Sequence, residues 1–156
     1  RMPAQQARYA NFMKVDVANS RLAVISPVFG ARSETFIRRH LNDILPGRTA
    51  CIYQYLAEGT VDEWSFHGPR LQYDHKESGN TKAGMPAADK QPPAYKLEDD
   101  QAERILRFIQ DQHITVLLSQ YLDQSLPWIE LAKTAGVPLF VHAHGYDVSM
   151  LLRMQE

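Results

Sequence analysis

Four short stretches of this chain are apolar without polar alternation: "RLAVIS" (21–26), "TACIYQYL" (49–56), "ITVLLS" (114–119) and "VPLFVHA" (137–143). Runs of this kind fit strands covered on both faces, as in a parallel sheet. Between them the period changes to that of a helix. In "SETFIRRHLNDIL", Phe36, Ile37, Leu41, Ile44 and Leu45 fall on one face, while Arg38, Arg39, Asn42 and Asp43 fall on the other. Ser33 is placed to cap this helix with Glu34 in its first turn, and Pro46-Gly47 is placed to end it. A second helix is expected in "LEDDQAERILRFIQDQH", with an acidic start and a stripe of Ile105, Leu106, Phe108 and Ile109. A third is expected in "YLDQSLPWIELAKTAG", where Pro127 is tolerated near the first turn and Gly136 suits the C-cap. "DVSMLLRMQE" is expected to begin another helix.

Strands alternating with helices predict an α/β fold, a doubly wound and mostly parallel sheet with helices on both faces. Arg21 to Ser26, Thr49 to Leu56, Ile114 to Leu118 and Val137 to His142 should then be parallel neighbours or near-neighbours. The excursion 57–96 breaks the pattern: it is rich in Gly, Pro, Asp and Lys, with a short strand suggested around "EWSFH", and so should be the most mobile part. Residues 1–20 read as an N-terminal extension or the remnant of a tag, and 21–156 as one domain.

Composition narrows the function. The chain has 156 residues, 44% of them hydrophobic, enough for a real core. Lys plus Arg number 17 and Asp plus Glu 18, so the whole-chain field disfavours a nucleic-acid partner. A single cysteine, Cys51, permits no intrachain disulfide, and no apolar run reaches the roughly 20 residues that span a bilayer. A reducing, cytoplasmic compartment is the expectation, and Cys51, Phe29 and Trp128 are expected in the core.

In a doubly wound sheet, ligands sit beyond the carboxyl ends of the strands where the strand order reverses. Pro27 to Glu34, Ser119 to Ser125 and His142 to Asp147 should converge there. Gly30 lacks a Cβ, so it either makes a tight turn or lets the backbone approach a phosphate at a helix N-terminus. Arg38 and Arg39 are either a solvated helix face or, with Arg32, forks for an anionic ligand. Asp147 is either the N-cap of a final helix or a functional carboxylate, and His142, on the same side of its strand as His144, is the better candidate for a core histidine. His142, His144 and Asp147 also admit a second class, a divalent metal site supporting hydrolysis. A third class is a non-catalytic Rossmann-like binding module.

"SPVFGARSETFIRRHL", followed in order by "AGVPLFVHAHGYDVSMLLR", resembles the N-terminal half of a family 4 glycosyltransferase, a retaining enzyme of the GT-B fold. The resemblance rests on Ser33 to Phe36, which open a helix after a glycine loop, and on His-Gly-x-Asp at His144 to Asp147. Where many relatives carry a His-Ala-His-like segment, this chain has "LLSQYL" (117–122). The resemblance implies a Rossmann-like acceptor-side domain, with the nucleotide-sugar donor held mainly by a C-terminal GT-B domain bearing a Glu-x7-Glu type motif. By this resemblance His144 would hydrogen-bond the donor sugar or present strand-end backbone to the reacting centre, and Asp147 would position that loop or accept from a sugar hydroxyl. Gly30 and Ala31 would lie at the donor diphosphate, and Arg32, Glu34 and Arg38 would meet the acceptor. The acceptor would be a glycan or a lipid-linked sugar, the latter bringing the chain to a membrane surface. The resemblance implies no cofactor beyond the nucleotide-sugar substrate, no metal, and no turnover by this chain alone.

Overall fold

The computed structural model describes residues 18–57, 64–73 and 97–145. They form β1 (Leu22–Phe29), α1 (Thr35–Asp43), β2 (Thr49–Leu56), β3 (Arg70–Gln72), α2 (Asp99–Asp111), β4 (Val116–Gln120), a 3-10 turn (Asp123–Ser125), α3 (Trp128–Ala135) and β5 (Leu139–His142). The strands make a five-stranded sheet in the order β3-β2-β1-β4-β5, with every pairing parallel. The chain winds outward in one direction through β2 and β3, then in the other through β4 and β5. The switch point therefore lies between β1 and β4.

The unbroken apolar runs are explained by burial on both faces. Along β1 the side chains alternate between two cores. Ala23 and Ile25 join Ile105 and Ile109 of α2, Leu117 of β4, and Trp128 and Leu131 of α3. Leu22 and Val24 join Ile37 and Leu41 of α1, together with Cys51, Trp64 and Phe66. The period of two along a strand thus puts α1 against one face and α2 and α3 against the other. All four expected strands are present and parallel, an α/β Rossmann-like arrangement. Phe29, Trp128 and Cys51 are buried as expected, and burial pushes the Cys51 thiol far up.

The helix ends follow local chemistry. Glu98 and Gln101 form a reciprocal capping box at the start of α2, and Gly136 closes α3 in the left-handed region at φ +69°. At α1 the expectation needs correction. The helix starts at Thr35 and Glu34 stands at its N-cap without a side-chain cap bond, so Ser33 does not cap it. Ile44, assigned by period to the apolar stripe, is 47% exposed because α1 ends at Asp43.

Part of the 57–96 excursion packs as a structural layer. Trp64 and Phe66 are buried against β1 and α1, and the Trp64 indole donates to the Ala31 carbonyl at 3.0 Å. The strand in this region is Arg70–Gln72 on the edge of β2, and Trp64 to His67 are not a strand. Residues 58–63 and 74–96 lie outside the described residues, as does the expected helix from Asp147 onward. Among the described residues no helix is long and apolar enough to cross a membrane.

Candidate functional site

The switch point is occupied by rings. At the end of β4, Gln120 is followed by Tyr121, a bulky residue at φ +67°. Holding such a residue in the left-handed region costs roughly 1–3 kcal/mol, and strain of this kind concentrates at functional sites. Tyr121 is tied in place from three directions. Its amide donates to the His142 carbonyl at 3.0 Å, its hydroxyl donates to Glu34 Oε1 at 2.6 Å, and its ring lies 4.3 Å from that of His144.

His144 stands at the centre of the group. Its ring centroid is 4.3 Å from Phe36 on α1 and 4.4 Å from His142 at the end of β5. His142 in turn lies 4.9 Å from His40, which sits one helical turn after Phe36 on α1. Four elements thus contribute: the α1 N-terminal loop through Glu34, α1 through Phe36 and His40, the β4 end through Gln120 and Tyr121, and the β5 end through His142 and His144. Of the convergence expected of 27–34, 119–125 and 142–147, Glu34, Gln120, Tyr121, His142 and His144 come together, and Asp147 lies outside the described residues.

Two polar features are unusual. Gln120 is fully buried, and its amide contacts His40 Nδ1 at 3.1 Å and His142 Nδ1 at 3.2 Å. Glu34 Oε2 is buried and accepts no hydrogen bond among the described residues, while its twin oxygen takes the Tyr121 hydroxyl. A buried acceptor with no donor among the described residues is a place where a ligand donor fits.

The remaining expected site residues divide into two places. Gly30 is buried at the carboxyl end of β1 at φ +89°, a conformation glycine alone adopts without strain, so the tight turn is real. Ala31 uses its carbonyl to accept both the Trp64 indole and the Glu34 amide. Arg32 and Arg38 are exposed and, with Thr35 and Trp64, line a small surface pocket of about 90 Å³. Glu34 does not line that pocket; its carboxylate serves Tyr121. His142, read from the sequence as a core histidine satisfied by backbone, is half-buried and bonded to a side chain instead.

Sequence reasoning missed His40, Gln120 and Tyr121. The signal for His40 was its spacing of four from Phe36, which puts both on one helix face. For Gln120 it was a polar pair, Ser119-Gln120, closing an otherwise apolar strand. Among the described residues no group of three His, Cys, Asp or Glu side chains could hold a metal ion.

Burial lowers the His40 pKa below its ordinary 6.5, and charge repulsion from His142 and His144 lowers it further. The Gln120 contact raises it only when the amide turns its oxygen toward His40, because an amide NH2 at Nδ1 favours the neutral ring. A histidine with a depressed folded pKa is neutral in both states above about 6.5; below that the unfolded chain binds the proton first. Stability should therefore fall as pH drops from 6.5 through the folded pKa. Urea midpoints between pH 8 and pH 5, compared with those of His40→Gln, measure this: the wild type should lose more over that range, and parallel curves would contradict the assignment.

No protein-family model, no curated protein and no solved structure matches the chain, so its fold and its ring-lined switch point rest on its own residues.

Proposed function

We propose that this chain is the acceptor-side domain of a retaining glycosyltransferase, one that moves a sugar from a nucleotide-sugar to a glycan or lipid-linked acceptor. The observation that carries the reading is the convergence of Glu34, Tyr121, His142 and His144 at the switch point of a parallel sheet. Sugars are recognised by aromatic faces together with side chains that both donate and accept, and these residues supply both. Glu34 Oε2 is placed to accept from a sugar hydroxyl, and imidazoles can donate to charge that develops at the leaving diphosphate. Gly30, at the end of the adjacent strand, offers backbone to that diphosphate, while Arg32 and Arg38 suit an acceptor carrying phosphate or carboxylate. The donor would be held mainly by a second domain, and the chemistry would proceed in the cytoplasm, at a membrane surface if the acceptor is lipid-linked.

This division of labour has a direct test. Calorimetric titration of the chain with uridine and guanosine diphosphate sugars should show weak binding or none, because the donor's nucleotide is recognised elsewhere. Submicromolar binding by these residues alone would contradict it.

A further inference from the structure

We propose that Gln120 is a positioning residue that sets His40 and His142 in opposite tautomers, making the two imidazoles a matched donor and acceptor pair for ligand hydroxyls. Gln120 closes β4, is fully buried and is paired in register with His142, so its side chain stands beside that of His142 on the same face of the sheet. Its nitrogen lies 3.1 Å from His40 Nδ1 and its oxygen 3.2 Å from His142 Nδ1.

A carboxamide nitrogen only donates and its oxygen only accepts. His40 Nδ1 must then present a lone pair, and His142 Nδ1 must carry a hydrogen. A neutral imidazole has one N–H, so His40 keeps its hydrogen on Nε2 while His142 has a bare Nε2. Turning the amide through half a rotation exchanges both assignments together. In either orientation one ring offers a donor nitrogen and the other an acceptor.

The two rings lie 4.9 Å apart and both are half-buried, so the pair lines the site without being sealed in the core. One donor beside one acceptor complements a polyhydroxylated ligand, in which one hydroxyl donates to the bare nitrogen and another accepts from the N–H. It is poorly matched to a metal ion, which needs a lone pair from every ligand ring; the amide leaves a bare Nε2 on only one of the two. The ligand class rests on the glycosyl-transfer reading, whereas the tautomers do not.

Long-range proton–nitrogen NMR of the 15N-labelled chain at pH 7.5 separates protonated from bare ring nitrogens. The expected result is His40 protonated on Nε2 and His142 on Nδ1, or the reverse pairing if the amide is turned. Gln120→Glu replaces the amide nitrogen with a second acceptor oxygen, so both rings should become protonated on Nδ1 and the opposition should vanish. Identical tautomers in the wild-type chain, or opposition that persists in Gln120→Glu, would overturn the proposal; the wild-type spectrum decides by itself if the variant does not fold. Adding neutral methyl glycosides of glucose, galactose, mannose and N-acetylglucosamine then tests the ligand. Shifts at both Nε2 positions support the hydroxyl-binding pair. Opposed tautomers with no shift from any glycoside would overturn that part, and count against the transferase reading, while leaving the role of Gln120 in place.

Discussion

Trp128→Ala should lower the folding stability of this chain by about 3–5 kcal/mol, the range for truncating a large buried aromatic. Trp128 begins α3 and is 2% exposed. Its ring packs edge-on against Tyr73, just past β3, with centroids 5.4 Å apart at 83°, and it shares a core with Ile105, Leu117 and Leu131. One side chain therefore ties the second half of the sheet to the residue that follows the opposite edge strand. Domains of this size are stable by only about 5–15 kcal/mol, so such a loss is a large fraction of the whole. Leu126→Ala, two residues earlier and 65% exposed, should change stability by less than about 0.5 kcal/mol. Urea denaturation of the two variants checks the pair, and equal effects would contradict the core described above.

The strands were legible because both faces of the sheet are covered, so each strand lost its polar alternation and became an uninterrupted run. β3 was not legible. Three residues, one of them an exposed arginine, carry no period, and Arg70–Gln72 is a strand only because β2 offers it an edge. The burial of Trp64 and Phe66 was hidden for a similar reason: what anchors them is the bond from the indole to Ala31 and the bond from the Asn42 amide to the Trp64 carbonyl, both between distant residues.

The site divides the same way. Strand-end placement predicted that the glycine loop and the His142 to His144 turn would meet beyond the sheet; Glu34, after that loop, bonds Tyr121, which stacks on His144. The bond from Tyr121 to Glu34 joins residues 87 apart in sequence and leaves no trace in any local pattern. His40 is obscured by its neighbours: Arg38, Arg39, Asn42 and Asp43 mark a polar face, and one imidazole among them carries no periodic signal of its own. Gln120 lies in "LLSQYL", where the resemblance leads one to expect a His-Ala-His-like segment, and its burial belongs to tertiary structure alone.

The second large effect concerns His144. On the proposed transferase reading, His144→Ala should reduce sugar transfer on the order of 100-fold or more, the usual result of removing one hydrogen-bond partner aimed at developing charge. The imidazole packs between Phe36, Tyr121 and His142, so its loss removes one of the three contacts that hold Tyr121 and leaves its bonds to Glu34 and His142. The fold should survive, because His144 is half-buried past the end of β5 and touches only the border of the second core through Phe36 and Tyr121. A purely structural role would show the opposite pattern, with a large fall in unfolding midpoint and a proportionate loss of activity.

The measurement that bears most directly on the central claim is sugar transfer by the proposed transferase, assayed for the wild type and for His144→Ala with and without a chelator. The account predicts wild-type transfer that survives removal of divalent metal from this domain, and a loss of about 100-fold in the variant with its unfolding midpoint nearly unchanged. Transfer unaffected by His144→Ala, together with tight stoichiometric zinc binding that disappears in both His142→Ala and His144→Ala, would contradict it and give the switch-point histidines to a metal instead.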